Sequence, residues 1–299
     1  MKKILLVLFW GSFLNAFSQN GQVVRIDTLS SKFVEKRTID IWLPENYSTK
    51  KKYAVLYMHD GQMLFDSTKN WNHQEWQVDE TLSRLIAEKK VRDCIVVGIW
   101  NRNEFRHSEY FPQKPFESLS QGQQDSIYKA TRGRTQALFA QKIQSDNYLK
   151  FIVNELKPFV DRQFSTHKDQ KNTFIAGSSM GGLISMYAIC EYPEVFGGAA
   201  CLSTHWIGTF FPNNTIPDTF LNYLKKHLPV SSSHKLYFDY GTATLDAYYP
   251  PYQKKADEVI QSKGYSAENW ITKEFVGEDH SEKAWGKRFW IPITFLLKK

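Results

Sequence analysis

The sequence predicts an α/β fold with a mostly parallel central sheet, helices on both faces and two leading antiparallel strands. Short runs rich in apolar and β-branched residues alternate along the chain with amphipathic stretches of helical length. The chain has 299 residues, of which 42% are hydrophobic and 23% charged, so it can bury the core of one enzyme-sized domain. Because the sequence contains no repeat, low-complexity tract or long Pro/Gly linker, we expect a single domain over residues 19–299.

The first 18 residues have the composition of a secretory signal peptide. Lys2 and Lys3 precede an apolar run at residues 4–10 that is too short for a membrane span, and small residues precede Gln19. We expect cleavage after Ser18, which removes residues 1–18 and leaves a secreted or periplasmic protein. Since no cysteine lies at that position, no membrane anchor is expected after cleavage.

The predicted elements follow the chain in order. Residues 23–29 and 37–43 are the leading antiparallel strands. Later strands are expected at residues 53–59, 94–100, 173–176, 198–203, 235–240 and 270–276, and helices at residues 77–89, 147–164, 183–188, 219–227, 251–262 and 282–297. Residues 101 to about 140 are polar and irregular, so they predict an insertion over the carboxyl edge of the sheet, where such folds bind ligands.

Residues 177–181 read Gly-Ser-Ser-Met-Gly and fit G-x-S-x-G, the strand-to-helix turn that exposes a nucleophilic serine in the α/β-hydrolase fold. The turn forces strained backbone angles on the serine, and small flanking residues leave room for it. Chance produces the bare pattern in about one chain in ten of this length, so the adjoining strand and helix strengthen the assignment. Ser178 is flanked by Ala176 and Met180, so the pattern fits Ser179 better.

The general base must follow the serine, because the triad order in this fold is Ser, then Asp or Glu, then His. His280 lies in a polar loop between the last strand and the final helix, from which it can reach the serine. His227 and His234 fall on a predicted surface helix and its exit. His205 can line the pocket but precedes any suitable acid. We expect His280 to be the base; the alternative is a solvated loop histidine.

The acid that orients the base belongs on a loop after a strand. Asp246 lies on such a loop, after the strand at residues 235–240. Asp239 lies inside that strand, and Asp279 is too close to His280 to bend back onto it. We therefore expect Asp246 to complete the triad; the alternative is a helix-capping aspartate.

An oxyanion hole requires two backbone N–H groups aimed at the developing charge. Met180, directly after the nucleophile, supplies one of them. The second belongs to the loop after the strand at residues 53–59, where Gly61 permits the turn and Gln62 presents the N–H. We therefore expect Gln62 and Met180 to be the two donors.

Two side chains are candidates for substrate binding. Arg106 follows the end of a strand and can hold an anionic or catecholate group; the equally weighted alternative is a salt bridge with Glu109. Trp206 follows a strand near the G-x-S-x-G turn and can stack on a sugar or aryl ring. Packing in the core is, however, the commoner role of a tryptophan.

The cysteines and the net charge exclude other classes of function. Cys94, Cys190 and Cys201 each lie in an apolar run, which favours buried free thiols over a disulfide. Since they lack CxxC or histidine spacing, no metal site is expected. The formal charge of +7 falls to +5 (7 − 2) when Lys2 and Lys3 are removed, and no dense basic block supports nucleic-acid binding.

Five ordered segments resemble those of the α/β-hydrolase family named Putative esterase, which includes enterochelin (siderophore) esterases, esterase D and family 1 carbohydrate esterases. The segments are HDGQ (59–62), GIWNRNEFRHSEYFP (98–112), IAGSSMGGL (175–183), FDYGTATLD (238–246) and GEDHSEKAW (277–285). The resemblance covers roughly residues 35–297. It implies an α/β-hydrolase fold without a metal or organic cofactor, and it supports the assigned roles of Ser179, Asp246, His280, Gln62 and Met180.

The expected function is that of a secreted serine carboxylic-ester hydrolase that works through an acyl-enzyme. The resemblance implies a small-molecule or oligosaccharide substrate, either a siderophore-type ester or a carbohydrate-linked feruloyl or acetyl ester. One alternative is an acyltransferase in which a sugar or lipid hydroxyl replaces water. The other is a binding module that kept the fold but lost turnover.

Overall fold

The computed structural model describes residues 21–299, and the predicted signal peptide lies outside the described residues. Eight strands form the central sheet. In chain order they are β1 (Gln22–Leu29), β2 (Arg37–Leu43), β3 (Ala54–His59), β4 (Cys94–Ile99), β7 (Thr173–Ser178), β8 (Gly198–Leu202), β9 (Lys235–Gly241) and β10 (Trp270–Phe275). The short strands β5 (Thr131–Arg132) and β6 (Gln136–Ala137) form a separate hairpin.

The sheet has the strand order β1-β2-β4-β3-β7-β8-β9-β10. Strands β1 and β2 are antiparallel, β2 also runs antiparallel to β4, and the strands from β4 to β10 are parallel to their neighbours. The predicted fold class and the leading antiparallel strands are therefore confirmed. All eight predicted strands are present, with ends that differ from the predicted ones by no more than two residues.

Helices cover both faces of this sheet. They are α1 (Val78–Ala87), α2 (Arg106–Tyr110), α3 (Gln113–Glu117), α4 (Gln121–Tyr128), α5 (Ser145–Phe151), α6 (Lys157–Gln163), α7 (Met180–Glu191), α8 (Thr215–His227), α9 (Pro250–Ser262), α10 (Glu282–Arg288) and α11 (Trp290–Leu296). A π-helical turn at Ile152–Leu156 joins α5 to α6, so the predicted helix at residues 147–164 is nearly continuous. No helix within residues 21–299 is long and apolar enough to cross a membrane.

The core consists of two apolar clusters, one on each face of the sheet. The smaller cluster lies under α1, α10 and α11, and the larger one under α5, α7, α8 and α9. Cys94, Cys190 and Cys201 are buried and unpaired, which confirms the prediction of free thiols. Because both faces are covered, we expect a ligand site at the loops that follow the carboxyl ends of the parallel strands.

The predicted insertion after β4 contains the three short helices α2, α3 and α4 and the β5–β6 hairpin. The sequence predicts irregular structure there because helices of five to eight residues are too short to show a clear period. A buried ion pair fastens the insertion to the sheet: both guanidinium Nη atoms of Arg37 on β2 donate to the Glu109 carboxylate of α2, at 2.7 and 3.0 Å. Neither side chain is exposed to solvent.

We predict that Arg37→Met lowers the free energy of unfolding by about 3–5 kcal/mol, because it leaves the Glu109 carboxylate buried without its partner. The double variant Arg37→Met/Glu109→Leu should recover much of that loss. Urea unfolding at neutral pH measures both effects. Lys51→Met removes the exposed Lys51–Asp93 pair and should cost less than about 1 kcal/mol, so an equal loss in Arg37→Met would contradict the prediction.

Candidate active site

The serine of the G-x-S-x-G segment lies on a sharp turn between β7 and α7. Ser179 has φ 57° and ψ −122°, a strained conformation for a residue other than glycine, and α7 begins at Met180. A Cβ atom on Gly177 would lie 2.8 Å from the backbone of Gly181, so this turn excludes a side chain at Gly177. The Ser179 N–H donates to the Leu202 carbonyl of β8 at 2.9 Å, which fixes the turn to the sheet.

The predicted base and acid are in direct contact. His280 Nδ1 lies 2.5 Å from Asp246 Oδ1, and the Asp246 side chain is fully buried. Burial alone would raise the pKa of Asp246, but its hydrogen bonds to His280, Ser203 and the Gly241 N–H hold the pKa below its usual value. Asp246 is therefore charged and in contact with the imidazole, as an orienting acid must be.

The loops that carry this pair are hydrogen-bonded to each other. The Glu278 carbonyl accepts from the N–H groups of Thr242 and Ala243, at 3.1 Å each. The Thr244 hydroxyl oxygen in turn accepts from the His280 N–H at 3.0 Å. A Cβ atom on Gly241 would lie 2.1 Å from the Glu278 carbonyl oxygen, so the loops can meet this closely only with glycine at that position.

A buried hydrogen-bond network lies directly behind the acid. The Ser203 hydroxyl donates to Asp246 Oδ2 at 2.5 Å and accepts from Trp285 Nε1 and Arg288 Nη2. Arg288 also forms a buried ion pair with Asp239 at 2.9 Å. Asp239, which lies inside β9, is thus paired with Arg288 and does not contact His280.

The loop expected to supply the second oxyanion donor lies against the first turn of α7. Asp60 has the left-handed φ of 56°, and a 3-10 turn at Gly61–Met63 follows it. A Cβ atom on Gly181 would be 3.3 Å from Asp60 Oδ2, so this loop and the start of α7 are in van der Waals contact. The structure thereby brings the loop of Gln62 next to Met180.

Arg106 lies at this loop but is held by the protein. Its Nε and Nη2 atoms donate to the two Asp60 carboxylate oxygens at 2.7 Å each, and Asn101 donates to the same carboxylate. The alternative pairing of Arg106 with Glu109 is wrong, because Glu109 is bound by Arg37. Arg106 thus fixes the loop of the expected oxyanion donor.

The structure does not bring Trp206 to the surface of the site. Its ring is fully buried and stacked on Phe238 with 6.1 Å between ring centroids, and its indole N–H donates to Gln253 at 2.9 Å. The expected stacking on a substrate ring is therefore corrected to a packing role, because a ring without exposed area cannot contact a ligand.

Tyr249, which the sequence does not predict as a site residue, adjoins both the serine and the predicted base. Its hydroxyl is 2.6 Å from His205 Nδ1, and its ring is 5.8 Å from the His280 ring. Burial raises the pKa of Tyr249 well above its usual value, against the opposing effect of its hydrogen bond with the Ser179 side chain. No motif marks this tyrosine, whereas His205 was expected to line the pocket and does adjoin it.

Three histidines near the site are buried without charge. Burial lowers the pKa of His59 to about 3, and burial with the charges of His280 and Arg106 lowers the pKa of His205 to about 3. Burial, with smaller effects from His205 and Arg106, also lowers the pKa of His107 well below its usual value. All three side chains therefore remain neutral donors or acceptors across the physiological range.

We predict that the protein loses stability as pH falls below about 6.5, because the unfolded chain binds protons at these histidines and the folded chain does not. The sign follows from the lowered folded pKa values: the unfolded state binds more protons, so stability rises with pH. The loss is about 2 kcal/mol per histidine at about pH 5. Unfolding free energy measured against pH tests this.

The slope of unfolding free energy against pH is set by the number of protons taken up on unfolding. His59→Asn should reduce that number by up to one, whereas His73→Asn, at an exposed histidine, should leave it unchanged. An unchanged slope in His59→Asn would contradict the assignment.

Within residues 21–299, no three His, Cys, Asp or Glu side chains are grouped so that they could hold a metal ion. The groups described at the site are a serine, an imidazole, a carboxylate and backbone N–H groups.

Comparison with known proteins identifies a family. The model of the family described as "Putative esterase" matches residues 30–289. The ferri-bacillibactin esterase BesA of Bacillus subtilis (strain 168) is 25% identical over 73% of this chain and 70% of its own length. An endo-1,4-beta-xylanase/feruloyl esterase of Xylanibacter ruminicola is 25% identical over 64% of this chain, which spans only 22% of that larger protein.

Solved structures agree with this result at the level of fold. A ferulic acid esterase matches with a TM-score of 0.63 and 19% identity, covering 92% of this chain and 98% of its own. The family match extends over most of the chain and includes every residue of the site described above. The chain therefore belongs to the Putative esterase family and is a carboxylic ester hydrolase.

Proposed function

We propose that the protein is a secreted serine esterase that hydrolyses its substrate through an acyl-enzyme, with Ser179, His280 and Asp246 as the catalytic triad. The observation that carries the proposal is the 2.5 Å contact between His280 and the buried, charged Asp246, in a chain whose G-x-S-x-G serine lies on a strained turn. Tyr249 contacts both the serine and the imidazole, which supports their approach to the same substrate atom.

The reaction follows from these roles. The Ser179 oxygen attacks the ester carbonyl carbon while His280 Nε2 accepts the serine proton, and Asp246 stabilises the charged imidazole. His280 then donates that proton to the leaving alcohol oxygen, which breaks the ester bond and leaves the acyl group on Ser179. Water, deprotonated by His280, releases the acid and restores the serine.

The negative charge of the tetrahedral intermediate needs stabilisation near the start of α7. We assign this role to the backbone N–H groups of Gln62 and Met180, which belong to the two segments in contact there. Ser179 provides no side-chain cap to α7, so the first N–H groups of the helix are not occupied in that way. Loss of one such donor costs about 3 kcal/mol of transition-state stabilisation.

The substrate class is inferred from the relatives. Relatives named as a ferri-bacillibactin esterase and as feruloyl esterases support either a siderophore-type ester or a carbohydrate-linked feruloyl or acetyl ester. A direct comparison of kcat/KM for a ferric-siderophore ester, a feruloylated sugar and an acetylated xylan fragment decides between them. The mass of the exported protein tests cleavage after Ser18 and therefore secretion.

We predict that Ser179→Ala reduces kcat on short p-nitrophenyl esters by roughly 10⁶-fold, because no other group can form the acyl-enzyme. Ser178→Ala is the matched control, since this neighbouring buried serine ends β7 and should be dispensable for chemistry. Full activity in Ser179→Ala, or equal loss in both variants, would overturn the assignment. A wild-type protein inert on a broad ester panel would instead favour a binding module.

We predict that Arg106→Gln lowers kcat by roughly 10- to 100-fold with little change in KM, because Asp60 loses its partner and the loop of Gln62 shifts. Arg106→Lys should restore part of the activity, and Arg102→Gln, at an exposed arginine nearby, should be neutral. If Arg106→Gln raises KM and leaves kcat unchanged, Arg106 binds substrate directly and the positioning role is wrong.

A further inference from the structure

Ser203, directly after β8, is a fully buried serine with an unusual backbone conformation. Its φ is 43°, in the left-handed region that glycine adopts freely and that a serine adopts only at a cost in free energy. The Ser203 N–H donates to the Asp239 carbonyl of β9 at 2.8 Å, which fixes this conformation to the neighbouring strand. A serine at such a position, in place of glycine, points to a role for its side chain.

The hydrogen bonds of the Ser203 hydroxyl can run in only one direction. The oxygen lies 2.9 Å from Trp285 Nε1 and 3.0 Å from Arg288 Nη2, and the nitrogens of indole and guanidinium groups are donors only. These two bonds occupy both lone pairs of the oxygen. The hydroxyl hydrogen therefore points to Asp246 Oδ2, which lies 2.5 Å away. Ser203 is thus fixed as a donor to the proposed acid of the triad.

The same hydroxyl reaches the proposed base through Trp285. The indole ring packs edge to face against the His280 ring, with 4.9 Å between the ring centroids and 83° between the ring planes. Because the indole N–H is held by Ser203, the ring has a fixed orientation against the imidazole. One hydroxyl group therefore positions both the Asp246 carboxylate and a surface on which His280 rests.

Arg288 connects this hydroxyl to a buried charge. The guanidinium forms an ion pair with Asp239 at 2.9 Å, so these two charges compensate each other and the charge of Asp246 is left for the imidazolium of His280. A hydroxyl that accepts from a cation is polarised and becomes a stronger donor. Burial raises the pKa of Asp246, and the hydrogen bond with His280, followed by that from Ser203, holds it below its usual value.

We propose that Ser203 is a positioning residue of the esterase, which acts through Asp246 and is held in its donor role by Trp285 and Arg288. The inference rests on the proposed function, in which Asp246 orients and stabilises the imidazole of His280. The hydrogen bond at Oδ2 leaves Oδ1 aimed at the imidazole and keeps the carboxylate ionised. Without the hydroxyl, the acid loses a donor and the indole loses its acceptor, so both members of the pair lose their orientation.

The first test is Ser203→Ala, which removes the hydroxyl. We expect kcat on p-nitrophenyl acetate to fall by roughly 10- to 100-fold with KM within about twofold, because the buried acid loses a charge-assisted hydrogen bond and the substrate does not contact Ser203. Ser185→Ala is the matched control, since Ser185 is an equally buried serine whose hydroxyl donates to the Gly181 carbonyl within α7. The control should keep kcat within about twofold of the wild-type value.

Two further substitutions separate the effect of the hydroxyl from that of the backbone. Ser203→Gly relieves the left-handed conformation but removes the hydroxyl, so its kcat should fall as far as that of Ser203→Ala although its backbone is less strained. Ser203→Cys keeps a weak donor of similar size and should retain part of kcat. Wild-type kcat in Ser203→Gly would show that only the backbone conformation matters, and would overturn the inference.

The dependence of kcat/KM on pH gives a readout that a merely structural role would not move. Loss of the Ser203 donor makes the Asp246 carboxylate more basic, which strengthens its attraction for a protonated imidazole. Because the base works only when it is neutral, the acid limb of kcat/KM should move to higher pH, by roughly 0.5–1 unit, in Ser203→Ala. Ser185→Ala should leave the acid limb at its wild-type position.

Other titratable groups near the pair are the same in all of these variants. Burial lowers the pKa of His205 to about 3 and raises the pKa of Tyr249 well above its usual value, so both side chains stay neutral. Besides these and the Asp239–Arg288 pair, the loop of His280 and the start of α10 contribute Glu278, Asp279 and Glu282. A shift of the acid limb therefore reports the hydrogen bond from Ser203.

Unchanged kcat in Ser203→Ala, or a fall in kcat without movement of the acid limb, would also overturn the inference. Rates are referred to the folded fraction of each variant, measured by circular dichroism at the assay temperature. Failure of the esterase proposal gives a different result, because wild-type protein and Ser179→Ala would then hydrolyse the ester equally slowly, and the role of Ser203 would fall with it. Activity that is lost in Ser179→Ala but kept in Ser203→Ala would overturn the role of Ser203 alone.

Discussion

The candidate site depends on one buried carboxylate. Asp246 accepts hydrogen bonds from three directions, through His280, Ser203 and the Gly241 N–H, and each of these partners belongs to a different segment of chain. A buried charge is stabilised only when its partners are all in place, so the carboxylate holds the loops after β8, β9 and β10 in one arrangement. Asp246 therefore links the loops at the ends of three neighbouring parallel strands through its hydrogen bonds.

Charge compensation explains the surroundings of this carboxylate. Asp60, Glu109 and Asp239 are each paired with an arginine, and these pairs hold respectively the loop of Gln62, the insertion after β4 and the network behind Asp246. Ion pairs of this kind are weak evidence for overall stability, but they define geometry because removal of one partner is costly. The sheet is therefore a scaffold of apolar contacts on which a few charged contacts set the position of the loops.

The sequence predicts the sheet well because buried parallel strands are apolar runs, and each such run needs only local composition to be recognised. The proposed triad rests on a similar argument, because the G-x-S-x-G pattern, the Ser-Asp-His order and the strand ends each limit the choice to a few positions. The roles of Trp206 and Arg106 cannot be predicted in this way. A tryptophan near a strand end can point into the core, and an arginine can form an ion pair with an acid far away in the sequence, such as Asp60. Tyr249 lies in no pattern, and only the folded structure brings it to Ser179.

The position of β10 has a consequence for how the protein responds to heat. Among the described strands, this one lies at the edge of the sheet beside β9, and it carries half-exposed side chains along its length. The loop that bears His280 directly follows it, so local opening of this edge separates the imidazole from Asp246 while the core strands remain intact. Regions of low local stability open at free energies below that of global unfolding. Thermal inactivation should therefore begin as fraying of one strand, at temperatures where the rest of the sheet is still folded.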